Sequence, residues 1–284
     1  MIAGRRRDAG MDGNPARTVG RMARGAVTEA AAVTAVLALL PFGTGDGCGS
    51  VCTVHPSLPR LPTGHGNVSG DAAAPVPVLL VHGLGGNRAV LTVLRNGLLR
   101  GGFPCVSAMN YRSLAGDISD AAEQLAEEVR RLCEHGGCER VHVVSHSLGG
   151  LIARYYVQRM GGDAQVDTLV TLGTPHQGTW AAIVPAPAPM IRQILPGSDL
   201  LAELALPAPG CRTRFVAFHS ELDEMVIPSG HARISHPDLL VDNVAVDGVG
   251  HLSLLFDRGV LEAVCHALAS PAERPALPLT PPAA

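Results

Sequence analysis

Aromatic side chains are scarce in this chain: one Trp, three Tyr and five Phe make up 3% of its 284 residues, although 46% of the sequence is apolar. Core packing therefore falls to Ala, Val and Leu, which suits parallel strands covered by helices. Concentrated positive charge is missing as well. The net charge is -3, which argues against a general nucleic-acid binder, because counterion release needs a dense basic surface. No second Cys or His pair stands at finger-like spacing from "CEHGGC", where Cys133 and Cys138 flank His135, so a metal site is set aside in favour of core cysteines. No internal repeat is visible. The seven cysteines are an odd number, so at least one thiol is free or pairs between chains; Cys48 with Cys52, and Cys133 with Cys138, have the spacing to close small loops in an oxidising compartment.

The N-terminus has the order of a signal peptide or signal anchor without its full equipment. Six arginines precede "GAVTEAAAVTAVLALLPFG", where Ala30 to Leu40 is apolar apart from Thr34. Glu29 interrupts the stretch, no A-x-A cleavage site follows, and the run falls short of the roughly 20 residues that span a bilayer. Two readings of residues 1–42 stand: a signal anchor, or an amphipathic helix packed on the domain or on a membrane surface. An exported or membrane-anchored chain is placed slightly ahead of a cytoplasmic one, and membrane association through this segment is one of its two readings. Residues 43–75, rich in Gly, Pro and Ser, read as a linker or irregular arm. The tail 271–284 lacks the apolar content to fold and reads as disordered.

From residue 76 to 270 strand and helix patterns alternate. "VPVLLVHG", "FPCVSAMNY", "RVHVVS", "VDTLVTLG", "TRFVAFHS" and "NVAVDGVG" read as strands, with helical spacing in "RAVLTVLRNGLLRGG", "DISDAAEQLAEEVRRLCEHGG" and "LGGLIARYYVQRMGG". The pattern predicts an α/β domain: a mostly parallel sheet of about six strands with helices on both faces. Ligands of such sheets bind at the carboxyl ends of the strands. A longer insertion occupies 179–209.

At one strand end, "VHVVSHSLGGL" passes from aliphatic strand through Ser147 straight into helix, the geometry of a nucleophile elbow. Ser145 and Gly149 flank Ser147 at two residues on either side. The first of them departs from the usual G-x-S-x-G but keeps the volume low. A serine hydroxyl needs a base, and the base a carboxylate to orient it, in the chain order Ser, acid, His for this topology. Asp223 follows the fifth strand and His251 the sixth, so Ser147, Asp223 and His251 are the expected triad. Asp242 and Asp247 are expected to point at solvent, and Glu221 and Glu224 to be solvated. His146, His176 and His219 are assigned structural hydrogen bonds. Backbone amides of Leu148, after the nucleophile, and of Leu84, in "VHGLGGN", are the expected oxyanion donors.

Through "VLLVHGLGGN", "HVVSHSLGGLIARYY", "VTLGTPHQGT", "LDEMVIP" and "GVGHLSLL", the chain resembles the α/β-hydrolase superfamily, and within it the bacterial lipases and esterases that include the small Bacillus-type lipase. The resemblance covers Val76 to His266. It implies acyl transfer to Ser147 and hydrolysis of the acyl-enzyme without metal or organic cofactor, on a small-molecule ester or lipid. It also implies that the insertion holding Trp180 to Leu204 forms a cap or acyl-binding wall. An acyltransferase with the same triad, or a membrane-associated binding protein that has lost catalysis, are the alternatives.

Overall fold

A computed structural model describes residues 15–44, 76–111, 116–183 and 189–270. The tail 271–284, nearly all of the arm over 43–75, and with it the Cys48–Cys52 pair, lie outside the described residues. The strands are Val78–Val81 (β1), Val106–Met109 (β2), Val141–His146 (β3), Val166–Leu172 (β4), Arg214–Ser220 (β5) and Leu240–Val246 (β6). The helices are Pro15–Leu39 (α1), Thr92–Arg100 (α2), Ile118–Gly136 (α3), Leu148–Arg159 (α4), Pro189–Gln193 (α5), Asp199–Leu204 (α6) and Arg258–Ala269 (α7).

All six strands pair parallel, in the order β2-β1-β3-β4-β5-β6. Each aliphatic run found in the sequence is one of these strands. Both faces of such a sheet must be covered, which is why its strands read as continuous apolar runs rather than alternating ones. Leu79, Val143, Leu169 and Phe215 pack under α3 and α4 through Leu125, Val129, Leu151 and Ile152. Leu80, Val144, Val170 and Phe218 pack on the opposite side against Leu94, Leu98, Val260 and Val264 of α2 and α7. The chain runs outward from β1 to β2 and then returns past β1 to β3. That reversal opens a crevice at the carboxyl ends of β1 and β3.

Local signals set the long helices. Asp117 caps α3 by accepting from the Asp120 N–H while the Asp120 side chain accepts from the Asp117 N–H, and Gly137 ends the helix in a left-handed conformation with φ 59°. Two expectations need correction. Cys133 and Cys138 are free thiols, and among the described residues Cys105 is disulfide-bonded. Cys133 and Cys138 stand at the end of α3, where burial pushes the Cys133 thiol up to about 12. The apolar N-terminal stretch is also longer than Ala30–Leu40 suggests. Met22–Phe42 gives 21 helical residues of mean hydropathy 1.7, enough by length and composition to cross a membrane although Arg24 and Glu29 both lie inside it. In the folded chain α1 lies over the carboxyl end of the sheet, packed on the turns at Arg88–Leu91 and Ser253–Leu255.

Candidate active site

Ser147 is the sole non-glycine among the described residues with a positive φ, at 53°. An L-residue held there stores strain that only a tightly determined turn sustains. The surroundings supply that determination. The Ser147 N–H donates to Leu172 O at 2.9 Å, and Thr174 Oγ1 donates to Ser147 O at 2.9 Å. A Cβ on Gly149 would lie 2.4 Å from His82 O, so β1 and α4 approach closely enough that only glycine fits. Ser145, in place of the more usual glycine, is buried and donates its hydroxyl to Val170 O at 3.0 Å. No side chain caps the start of α4, which leaves the amide end of the helix turned to the crevice, with its positive dipole end at Leu148.

Asp223, in the loop after β5, is buried, and its Oδ1 accepts from the N–H groups of Met225 at 2.9 Å and Val226 at 3.0 Å. His251, in the loop after β6, sets Nδ1 2.9 Å from both carboxylate oxygens of Asp223. A carboxylate only accepts, so Nδ1 carries the ring proton and Nε2 keeps a lone pair. Gly173, at the end of β4, makes room for this pair: a Cβ there would lie 2.8 Å from Asp223 Oδ2 and 3.1 Å from His251 Nδ1.

Ser147, Leu148, His251 and Leu84 all line one cavity of about 470 Å³, while Asp223 sits behind its wall. Leu84 lies in the turn Gly83–Gly86, closed by Gly86 N–H donating to Gly83 O at 3.2 Å. Apolar side chains supply most of the rest of the wall, among them Ala182, Ile191 and Ile194 from the insertion, Val226, Leu255, and Val33 with Val36 from α1. The insertion is stitched to the acid loop, since Thr179 Oγ1 donates to Met225 O at 2.8 Å and accepts from the Ile227 N–H at 2.9 Å. Arg154, buried on α4, fastens it from beneath by donating to His176 O and Leu204 O.

The competitors fall elsewhere. Asp242 is ion-paired with Arg214 at 2.8 Å on the β6 edge, and Asp247 is exposed. His176 bonds Thr171 through Nε2 at 3.0 Å and lies away from the cavity. Burial lowers the His219 imidazole, which lies at the end of β5. Glu221 is exposed. Two residues reach the site in ways their sequence positions do not suggest. His146 Nε2 is 3.1 Å from the carbonyl of His251, its ring tilted against the His251 ring at 4.7 Å between centroids. Glu224 is exposed, as read from sequence, but it also lines the cavity and accepts from the His251 N–H at 3.4 Å.

The buried imidazoles around the site carry a cost at acid pH. Burial pushes His82 down to about 4 and His146 down to about 3, the latter helped by the neighbouring His251. His176 is lowered far as well, by burial and then by Arg154. His82 donates from Nδ1 to Gly83 O, stacks on Tyr111 at 4.3 Å and leaves Nε2 buried without a partner. Because the folded values lie below the unfolded value near 6.5, the unfolded chain binds protons that the folded chain refuses. Stability is thus fully present above about pH 6.5 and falls as pH drops toward the folded values, by about 1.4 kcal/mol per pH unit per histidine. Urea unfolding at pH 7, 6 and 5 is expected to show a steep loss below pH 6; a flat profile would contradict the buried neutral assignment.

Residues 77–201 match a family described as palmitoyl protein thioesterase. Two curated proteins named triacylglycerol lipase, from Pseudarthrobacter phenanthrenivorans and Burkholderia plantarii, are each 32% identical over 115 residues, or 38% of this chain and 35% and 32% of theirs. The chain thus matches about a third of the length of these relatives. A solved structure, the mature Bacillus licheniformis lipase BlEst2, superposes with a TM-score of 0.59 at 16% identity, over 72% of this chain and 96% of that one.

Proposed function

We infer that this chain, which has the α/β-hydrolase fold, is a serine carboxylic-ester hydrolase working through an acyl-enzyme on Ser147. The observation that carries the reading is the buried Asp223–His251 pair, set at the wall of an apolar cavity into which a strained serine is presented. With Nδ1–H held by Asp223, His251 Nε2 takes the Ser147 proton as Oγ attacks the acyl carbon. The amides of Leu84 and Leu148 receive the oxyanion, and His251 returns the proton to the departing alcohol. Water, deprotonated by the same nitrogen, then releases the acid.

The lining supports an acyl substrate. Apolar side chains dominate it, the charged exceptions being groups at the reacting end, and its volume lies within the range of small-molecule sites. We assign the insertion the role of acyl wall, through Ala182, Ile191 and Ile194. The names of the similar proteins and of the matched family, triacylglycerol lipase and palmitoyl protein thioesterase, both specify acyl groups, which makes fatty acyl esters the substrate class to try first.

The direct test is labelling of the purified chain by a fluorophosphonate probe, with turnover of p-nitrophenyl esters from acetate to palmitate. Labelling with turnover supports the reading. Labelling with ester product formed chiefly on an added alcohol would point to acyl transfer, and the absence of both would leave a binding protein.

A further inference from the structure

We propose that Glu29, far upstream on α1, is a positioning residue for the catalytic histidine loop, and that α1 is thereby a working wall of the ester site. The proposal rests on the reading of Ser147, Asp223 and His251 as the triad.

The contact is specific. Glu29 Oε1 accepts from the Leu252 N–H at 2.7 Å, and Oε2 accepts from the Ser253 N–H at 2.9 Å and the Ser253 hydroxyl at 2.7 Å. These are the two peptide groups directly after His251. The loop is shaped to receive the carboxylate, because a Cβ on Gly250 would lie 2.3 Å from Glu29 Oε2. The helix is shaped to reach the loop, because a Cβ on Gly25, one turn earlier on the same face, would lie 2.7 Å from Leu222. Ala32, buried, continues that face, and Val33 and Val36 reach the cavity itself. Beyond the helix, Asn87 donates to Leu40 O at 2.7 Å and Asn110 to Gly43 O at 2.7 Å, tying the segment to the strands β1 and β2 through the loops that follow them.

His251 is consequently held along its backbone from three directions: its N–H by Glu224, its carbonyl by His146, and the next two amides by Glu29. Charge-assisted bonds from a carboxylate to backbone amides are short and strong. The Glu224 carboxyl beside them is held above the ordinary carboxylate range by partial burial and by the neighbouring Glu29. An imidazole must sit within a few tenths of an ångström of its working position, and a shift of about 1 Å is enough to cost a hundredfold in rate. Both oxygens of Glu29 act as acceptors, so glutamine fills the same volume but presents an N–H where one acceptor was.

The test compares Glu29→Gln with the wild-type chain on p-nitrophenyl acetate, whose acyl group is too short to use the α1 wall. The expected result is a fall in kcat of about tenfold or more with KM within about twofold, together with faster hydrogen exchange at the Leu252 and Ser253 amides. Thr34→Ala, an exposed change on the same helix, is expected to keep the wild-type kcat. Wild-type kcat in Glu29→Gln, unaltered exchange at both amides, or an equal fall in Thr34→Ala would each overturn the proposal. If Glu29→Gln gives no cooperative melt, Ser253→Ala removes only the hydroxyl of the same contact; a loss of about threefold in kcat supports the proposal and none overturns it. Failure of the wild-type chain to take the fluorophosphonate would remove the hydrolase reading instead, and the exchange measurement would still decide whether Glu29 holds the loop.

Discussion

Ser147→Ala is expected to lower kcat for p-nitrophenyl butyrate by on the order of a millionfold, the size of loss seen when the nucleophile of a serine hydrolase is removed. The variant should also stop taking the fluorophosphonate. Its fold should survive, for two reasons set by the turn. Alanine keeps the Cβ, so the strain at φ 53° is the same before and after. The bonds that hold the turn use only backbone atoms of residue 147, its N–H donating to Leu172 O and its carbonyl accepting from Thr174 Oγ1, and alanine retains both. A melting temperature within a few degrees of wild type is the accompanying measurement. Turnover retained in a purified Ser147→Ala chain would rule out this residue as nucleophile.

Asp223→Asn should cost about 10⁴-fold in kcat through the wrong imidazole tautomer, and the surroundings decide which way the new amide sits. Oδ1 accepts two backbone N–H groups, from Met225 and Val226, so the asparagine oxygen occupies that position. Its NH₂ then takes the place of Oδ2, 2.9 Å from His251 Nδ1. Two donors cannot face each other there. The tautomer with its proton on Nε2 is thereby favoured, although Nδ1 also lies 2.9 Å from the retained oxygen, and in that tautomer the nitrogen facing the cavity no longer accepts from serine. Asp247→Asn, at an exposed position, is the comparison: a loss of this size there, with none in Asp223→Asn, would move the acid to Asp247.

Much of this arrangement was legible in the chain because each piece is local. "VLLV", "VHVVSH" and "RFVAFHS" are aliphatic or aromatic runs of strand length, and buried parallel strands leave that mark without help from distant residues. Ser147 was legible from its small neighbours, whose size answers a backbone contact one strand away. The roles of His146 and Glu224 were harder to see, since a ring or carboxylate beside a site residue can turn either way and only packing decides. Glu29 left no sign of its use. Its partners lie 223 and 224 residues away, and within an apolar stretch a lone carboxylate reads as an interruption. The cysteines misled for a related reason: Cys133 and Cys138 are near in sequence, yet they flank a helix end and remain thiols.

Helix α1 is long and apolar enough to lie in hydrocarbon, and it also donates one side of the cavity. It has only one Glu29 to spend. Immersed in a bilayer, that carboxylate would sit among lipid tails at a cost of about 3 kcal/mol on insertion scales and forfeit three hydrogen bonds to the loop. Seated on the protein, it keeps those bonds while Val27, Leu37 and Phe42 remain in water. Immersion of this helix across hydrocarbon and its seat beside the His251 loop therefore compete for the same twenty-odd residues.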